Sequence, residues 1–326
     1  MNRRKRFRIV VGTRGSDLAR WQADEVARLL AAQETRSITS IDIRCITTAG
    51  DERGLAPPGD GLFTRDIERL LLAGEIDLAV HSLKDLPTAS PDGLQICAYL
   101  RRSFAGDVLI VHPDWHRSEH ALGLGPGCLV GTTSPRRRAL LSAIAPQARG
   151  TDLRGNVPTR LHRCADGSIG AIILAKAGIE RLKSTIASVL AGLFIYELDP
   201  VIWSPAPAQG VIAVQARSED DSILTMLAAL DDSETRLAVT LERNALAASG
   251  GGCRTAFGAF ARSAPARGAD RSWRLSVGMN HEPRGWVGGT VTGSYQELEE
   301  FRPDPVQLKP LSFDGVESLS RWNDTS

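Results

Sequence analysis

Apolar and polar positions in the first part of the chain follow two alternating periods. RIVVGT (8–13) is continuously apolar over the length of a strand, and apolar residues from Leu18 to Leu30 then recur at helical spacing after Ser16, a suitable N-cap. The strand-like run IDIRCIT, the helical run FTRDIERLLLAG and the strand-like run IDLAVHS follow. This alternation predicts a mainly parallel sheet flanked by helices.

The same pattern begins again after residue 106. DVLIV (107–111) and LVGT (129–132) resemble strands, a helix is predicted after Ser134, and AIILA (171–175) forms the next strand. Two similar α/β units in succession predict two domains with a cleft between them. SPAPAQG (204–210) is typical of a linker, and the strand VIAVQA after it can rejoin the first sheet.

The last third of the chain has a different character. A helical run, DSETRLAVTLERNALAAS, leads into three glycines and Cys253, after which TAFGAFA, WRLSVGM and GWVGGTVTG resemble strands separated by polar turns. We therefore predict a small third α+β domain with an antiparallel sheet. The expected boundaries are 1–104 plus 208–227 for the first domain, 105–204 for the second and 228–326 for the third.

Composition narrows the class of protein. Of the 326 residues, 42% are hydrophobic and 24% are charged, which is typical of a soluble globular protein. No run approaches the ~20 apolar residues of a membrane span, and the basic N-terminus precedes only a strand-length apolar run, so neither a membrane partner nor a secretory signal is expected. The five cysteines are scattered without a C-x-x-C pair, which favours reduced thiols in the cytoplasm over disulfides or a zinc site. His112, His116 and His120 are four residues apart, but Pro113 interrupts any helix there, and no metal is predicted.

Arginines are concentrated between residues 129 and 163, where seven of them accompany a single acid, Asp152. GTTSPRRR follows a predicted strand and places Ser134 at an N-cap, so that backbone amides, Arg136 and Arg137 converge at a helix start. LRGNVPTRL places Arg154 and Arg160 at a second such turn. The segment has no Phe, Tyr or Trp for base stacking, so a small polyanion is favoured over nucleic acid. A solvated basic face is the alternative.

Two loops of the first unit carry similar chemistry. GTRGS (12–16) places Arg14 and Ser16 before a helix, which again suits an anion. VHSLKDLP (80–87) ends a buried strand with Lys84 beside Asp85. The adjacent cation and carboxylate form either a surface ion pair or an anion ligand next to an acid/base group.

Cys253 follows three glycines in the stretch SGGGCRT (249–255). Glycines end helices readily and also let a bulky group approach the next side chain. The stretch is therefore either a helix C-cap before a small buried thiol or a thiol presented to a large group.

These motifs together resemble the porphobilinogen deaminase (hydroxymethylbilane synthase) family. The match runs from about residue 8 to about residue 262 and is carried, in order, by TRGSDLARWQA, VHSLKDLP, GTTSPRRR, LRGNVPTRL, AIILAKAGIERL and GGGCRTAFGAFA. The resemblance implies an α/β fold of three domains. The first two would be like type II periplasmic binding proteins with a cleft between them, and the third would carry the cysteine.

The resemblance also implies an activity, which is the condensation of porphobilinogen, head to tail and with loss of ammonia, to the linear tetrapyrrole hydroxymethylbilane. Cys253 would hold a dipyrromethane cofactor covalently through a thioether, and Asp85 would be the catalytic carboxylate that stabilises developing positive charge. Each pyrrole carries an acetate and a propionate, and the arginines would bind these carboxylates. By the same resemblance the cofactor would be bound by Lys84, Asp85, Ser134, Arg136, Arg137 and Arg160, and the substrate by Arg14, Ser16, Arg154 and Arg181. A monomer is expected.

Some positions depart from the family pattern. The loop LAPPGDGLF (55–63) is short and poor in lysine, with Asp60 where a lysine is usual. Gly170 replaces an aspartate, Pro158 is unusual in its turn, and Ala208 stands where a glycine is usual. Because of the altered loop, a divergent paralogue that makes a different or shorter oligopyrrole remains an alternative interpretation. The arginines and the predicted cleft keep open a non-catalytic carboxylate-binding protein.

Overall fold

The computed structural model describes residues 7–33, 38–48, 64–250, 255–265, 272–311 and 320–321. Cys253 and the loop 55–63, on which two of the predictions above depend, lie outside these ranges. The strands are β1 (Phe7–Arg14), β2 (Ile38–Ile46), β3 (Leu78–Ser82), β4 (Leu94–Tyr99), β5 (Asp107–Val111), β6 (Leu129–Gly131), β7 (Arg149–Thr151), β8 (Ala171–Ala175), β9 (Phe194–Glu197), β10 (Ile212–Arg217), β11 (Phe257–Ala264), β12 (Ser272–His281), β13 (Gly285–Gly293), β14 (Lys309–Pro310) and β15 (Ser320–Arg321). The helices are α1 (Asp17–Ala31), α2 (Arg65–Leu72), α3 (Pro135–Ile144), α4 (Val157–Ala165), α5 (Lys176–Arg181), α6 (Lys183–Leu190), α7 (Asp221–Ala228), α8 (Ser233–Ala248) and α9 (Tyr295–Glu299).

The chain forms two compact units. One comprises Met1–Ser103 and Val211–Arg236, and the other Phe104–Gly210 and Leu237–Ser326. The predicted three-domain boundaries and the predicted cleft stay predictions.

The first unit is built on a sheet with the strand order β2-β1-β3-β10-β4. The prediction that VIAVQA rejoins this sheet is confirmed, since β10 lies between β3 and β4. The strands from which a mainly parallel sheet was predicted pair as expected, since β1 is parallel to β2 and β3, but β10 is antiparallel to both of its neighbours. The sheet is mixed because this late strand enters it in the opposite direction.

The second α/β sheet repeats this arrangement. Its strand order is β15-β9-β5-β8-β6-β7, with β6 parallel to β7 and β8, and with β5 antiparallel to β8 and β9. Strands β6, β7, β8, β5 and β9 therefore pair as β1, β2, β3, β10 and β4 do. The prediction of two similar α/β units and the mixed α/β class are confirmed.

Side chains on alternate faces of the first sheet form two cores. Ile9 and Val11 point to the face covered by α1 and α7, where Val26 and Leu227 are fully buried. Val10 lies on the other face with α2, whose Ile67 and Leu71 are also fully buried. This alternation follows from the two-residue period of a strand, and it explains the continuous apolar run in β1.

The last sheet is antiparallel, with the order β11-β12-β13-β14, as predicted for the third domain. Leu241 and Leu246 of α8 and Leu298 of α9 pack with its apolar face around Trp273. The sheet lies in the same compact unit as the second α/β sheet, and Trp286 of β13 belongs to the core of that α/β sheet.

The segment 204–210, which its composition predicts to be a linker, ends at the boundary between the two units and is mostly buried. Six of its seven residues are buried, and its backbone polar groups bind other parts of the unit. The Ser204 carbonyl accepts from Arg136, the Pro205 carbonyl from the Ala259 amide, and the Gly210 carbonyl from Arg181. A buried irregular segment persists only when its polar groups are satisfied in this way.

Two departures from the family pattern have structural consequences. Ala208 has a φ of 64°, in the left-handed region that favours glycine, and its amide donates to Glu242 at 2.6 Å. At Gly170 a Cβ would lie 2.8 Å from the Sγ of Cys128 and 2.9 Å from the Trp115 ring, so an aspartate would fit only if these side chains moved. Pro158 lies in the first turn of α4, where a missing N–H is tolerated.

Within the described ranges no helix combines the length and apolar character that crossing a membrane requires.

Replacing Ala208 with glycine should raise the free energy of unfolding by up to about 1 kcal/mol, because the left-handed conformation strains alanine but not glycine. Denaturant titration measures the change. Ala206→Gly is the matched control, since Ala206 does not have a positive φ, and it should lower the stability. Destabilisation by both substitutions would contradict the assigned strain.

Candidate functional site

The predicted site residues of the first unit follow the carboxyl ends of two neighbouring strands. Arg14 ends β1 and Ser16 comes two residues later, while Lys84 and Asp85 follow β3. Because β1 and β3 are parallel and paired, these residues lie at the same edge of the sheet. Ligands of open α/β sheets bind at this edge.

Hydrogen bonds fix the two loops that follow these strands. Ser16 is the N-cap of α1, and its hydroxyl accepts from the amide of Ala19. The buried Gln22 of α1 donates to the hydroxyl of Ser82, at the end of β3, at 2.9 Å. The start of α1 is thereby tied to the strand that carries Lys84 and Asp85.

Lys84 and Asp85 lie in a short 3₁₀ turn over Leu83–Asp85. Leu83 and Leu86 on either side are buried, with exposed fractions of 0% and 4%. These two anchors leave Lys84 half-buried and Asp85 exposed. The buried strand therefore presents a carboxylate to solvent on a short, well-packed turn.

His81 lies in β3 immediately before this turn and is buried. Burial lowers the pKa of His81 to about 4, and the charge of Arg14 also lowers it. Its Nε2 has no hydrogen-bond partner among the described residues. A histidine that is neutral at neutral pH fits a structural role within this apolar strand.

The second unit places its predicted site residues at the equivalent edge. Strands β6, β7 and β8 are parallel, so the loops that follow them begin at the same edge of the sheet. These loops carry, in turn, Ser134 with Arg136 and Arg137, Arg154 with Arg160, and Lys176 with Arg181. The structure thus places Ser134, Arg136, Arg137, Arg154 and Arg160 in the loops and first helical turns at one edge, and Arg181 at the end of a helix that starts there.

Arg136 and Arg137 converge on a carboxylate that the sequence analysis did not single out. Asp107 begins β5 and is buried together with both guanidinium groups, whose side chains are 4% and 8% exposed. Arg136 Nη2 donates to its Oδ2 at 2.9 Å, and Arg137 donates through Nε and Nη2 at 3.0 and 2.6 Å. Trp203 Nε1 and Gln209 Nε2 donate to the same carboxylate at 3.0 and 2.9 Å.

Counting the acids within residues 129–163 therefore missed an acid from outside the segment that pairs with its arginines. Asp107 lies outside that segment and compensates one of the two buried guanidinium charges, while Arg138 pairs with Asp152. Burial raises the pKa of Asp107, but Arg136 and Arg137 hold it well below its ordinary value. Two cations against one anion leave this cluster with a net positive charge.

Arg160 adds to this charge. Burial, and then the charge of Arg137, lowers the pKa of Arg160 to about 10, so the two groups are close enough to repel. Its Nε donates to the Gly155 carbonyl at 2.8 Å. A half-buried cation that is repelled by another gains from a bound anion.

The remaining predicted residues have other surroundings. Ser134 caps α3 by accepting from the Arg137 amide, and Arg154 is exposed. Arg181 donates to the Gly210 carbonyl at 2.8 Å. The structure does not test whether any of these residues binds a ligand, and their assigned roles stay predictions.

Asp107, Trp203 and Gln209 were missed by the sequence analysis. The one signal in the sequence was a charged residue opening the apolar strand DVLIV, since a buried charge needs partners. Trp203 and Gln209 carried no signal, because their role depends on the buried course of residues 203–210.

Comparison with known proteins decides the family. Residues 9–225 match the family model described as "Porphobilinogen deaminase, dipyromethane cofactor binding domain". The porphobilinogen deaminase of Roseiflexus sp. (strain RS-1) is 41% identical over 78% of this chain and 81% of that protein. The chain belongs to the porphobilinogen deaminase family. The porphobilinogen deaminase of Desulforudis audaxviator is 42% identical over 79% of this chain and 81% of that protein, and the probable porphobilinogen deaminase of Methanocaldococcus jannaschii is 40% identical over 78% and 82%.

The resemblance stated from the sequence motifs is thus confirmed. The matched family model is that of a dipyrromethane-binding domain, which agrees with the expected cofactor. The matched residues 9–225 include both carboxyl edges described above.

In the variant His81→Gln, the free energy of unfolding should depend less on pH below pH 6.5 than it does in the wild type. Between pH 6.5 and about pH 4 the unfolded chain binds a proton at His81 that the folded protein does not, so stability falls as the pH falls through this window. The shift corresponds to about 3 kcal/mol. Denaturant titrations at several pH values measure it, and a variant with the same acid-side slope as the wild type would show that His81 does not contribute.

Proposed function

We propose that this protein is a hydroxymethylbilane synthase, which condenses porphobilinogen head to tail, with release of ammonia, to the linear tetrapyrrole. The observation that carries the proposal is the buried pair of Arg136 and Arg137 on the single carboxylate of Asp107, with the half-buried Arg160 close enough to Arg137 to be repelled by it. A surplus of buried positive charge needs an anion. The pyrroles of this reaction supply acetate and propionate groups.

The residues present fit a dipyrromethane cofactor. A guanidinium group has five N–H donors. Arg136 uses two of them, to Asp107 and to the Ser204 carbonyl. Arg137 uses three, two to Asp107 and one to the Ile173 carbonyl. Within the described part of the chain, donors therefore remain on both groups for carboxylates. Arginine forks bind carboxylates bidentately, and burial strengthens the contact.

In the proposed site the cofactor is held covalently by Cys253 and through its carboxylates by Lys84, Ser134, Arg136, Arg137 and Arg160. When bound, it supplies the pyrrole carbon to which the first substrate is joined. Arg14, Ser16, Arg154 and Arg181 bind the acetate and propionate groups of substrate.

Asp85 is the proposed catalytic carboxylate. It is the exposed anion of the turn after β3, beside the half-buried Lys84. Positive charge that develops on a pyrrole ring is stabilised by a fixed carboxylate, and the same group can accept or return a proton at the pyrrole nitrogen. The buried Leu83 and Leu86 hold it in place, which limits reorganisation during the reaction.

The cofactor gives the first test. Intact-mass measurement of the purified protein should show the chain plus two pyrrole units, and Cys253→Ser should show the bare chain mass. Cys45→Ser is the matched control, since Cys45 is an exposed free thiol, and it should keep the adduct. A bare wild-type mass would favour a non-catalytic carboxylate-binding protein, and an adduct on Cys253→Ser would refute the anchor.

The product gives the second test. Incubation with porphobilinogen should release the linear tetrapyrrole as the dominant oligomer. A shorter or different oligopyrrole would overturn this proposal in favour of a divergent paralogue, which the short loop 55–63 keeps open.

Asp85→Asn should keep the adduct but lower kcat by about a hundredfold or more, because charge is lost while shape is kept. Asp92→Asn, at another exposed carboxylate of the same unit, is the control and should retain the wild-type rate. Turnover near that of the wild type in Asp85→Asn would contradict the catalytic role.

A further inference from the structure

Five hydrogen bonds from described residues reach the carboxylate of Asp107, which accepts in each of them. Oδ1 accepts from Arg137 Nη2 and Gln209 Nε2, and Oδ2 accepts from Arg136 Nη2, Arg137 Nε and Trp203 Nε1. Guanidinium and indole groups can only donate. Five hydrogen bonds fix the orientation of this carboxylate, and the same bonds fix the orientation of the side chains that donate them.

These contacts use one specific side of the Arg137 group. Nε and Nη2 form a bidentate pair with Asp107, and Nη1 donates to the Ile173 carbonyl at 2.8 Å. In Arg136, Nη2 binds Asp107 while Nη1 binds the Ser204 carbonyl at 2.8 Å. The planes and the outward edges of both groups are therefore set by Asp107 together with two backbone carbonyls.

We propose that Asp107 is a positioning residue for carboxylate binding, which fixes Arg136 and Arg137 so that their remaining N–H groups meet the acidic side chains of the pyrrole cofactor. The inference rests on the proposed function for the identity of the ligand. It goes beyond that function by assigning the orientation of the arginines to a residue that does not itself touch the ligand.

The substitution Asp107→Asn distinguishes the effect of the orientation of Arg136 and Arg137 from the effect of the net charge of the cluster. In asparagine an NH2 group replaces one of the two carboxylate oxygens. This NH2 group would face N–H donors that now bind an oxygen, so at least one of Arg136, Arg137 and Trp203 must move. The same substitution removes a negative charge and raises the net positive charge of the cluster by one. If charge alone governed carboxylate binding, the variant would bind more tightly; if orientation governs it, the variant binds more weakly.

Trp203→Phe is the matched control. It removes one donor to Asp107 Oδ2 and disturbs the same buried cluster, but it leaves every contact between Asp107 and the two arginines. Both variants should lower the melting temperature. Only Asp107→Asn should then change ligand binding, which separates positioning from general destabilisation.

The experiment compares the adduct fraction by intact mass with kcat per adduct-bearing molecule, at a temperature where circular dichroism shows each variant to be folded. Asp107→Asn should have a lower adduct fraction and a kcat about tenfold or more below the wild type, whereas Trp203→Phe should match the wild type in both. Wild-type values in a folded Asp107→Asn would overturn the proposal. If Asp107→Asn does not fold, Asp107→Glu takes its place: it keeps the charge but displaces the carboxylate, and a wild-type kcat in it would overturn the proposal equally.

A second measurement keeps this inference distinct from the proposed function. The probe is the pyrrole that carries the acetate and propionate of porphobilinogen but a methyl group in place of the aminomethyl group, and it is titrated calorimetrically. If the wild type has neither adduct nor product, the proposed function is wrong. The inference about Asp107 then requires that the wild type bind the probe about tenfold more tightly than Asp107→Asn. Equal or tighter binding by the variant, or no binding by the wild type, would overturn it.

Discussion

The arrangement of the second unit depends on the burial of two guanidinium groups against one carboxylate. Asp107 opens β5, Arg136 and Arg137 open α3, and all three side chains are almost completely removed from water. Breaking a buried pair by removing one partner typically costs about 3–5 kcal/mol, because the other charge is left uncompensated. This constraint fixes the start of α3 against the start of β5, and it leaves one positive charge without a partner in the cluster.

The same cluster organises the buried segment 204–210. Arg136 and Arg181 donate to carbonyls at its two ends, and Gln209 from within it donates to Asp107. Glu242 of α8 accepts from the amide of Ala208 in this segment and from that of Ala261 in β11. Arginines that the sequence indicates as ligands therefore also hold together the irregular part of the fold. A ligand-binding function and a structural function are compatible here, since each guanidinium has five donors.

Much of the fold was predictable because its signals are local. Apolar runs and helical spacing located β1, β3, β5 and β8, and their repetition predicted the two similar sheets. The direction of β10 was not predictable, because strand direction depends on the path of the chain rather than on the residues in the strand. The burial of 204–210 was missed for a related reason: proline and alanine are typical of linkers, and only distant partners such as Glu242 make burial possible. Among the site residues, Ser134, Arg136 and Arg160 were identified by motif, whereas Asp107 required knowledge of which strand starts beside α3.

The central claim is that the surplus positive charge around Asp107 binds the carboxylates of a covalently held pyrrole cofactor. A crystal structure of the purified protein with its adduct tests this claim most directly. The account predicts cofactor carboxylate oxygens about 3 Å from guanidinium nitrogens of Arg136, Arg137 and Arg160. The three hydrogen bonds from Arg136 and Arg137 to Asp107 should be retained. Cofactor carboxylates that lie elsewhere, with these three arginines bound only to protein acceptors, would contradict it.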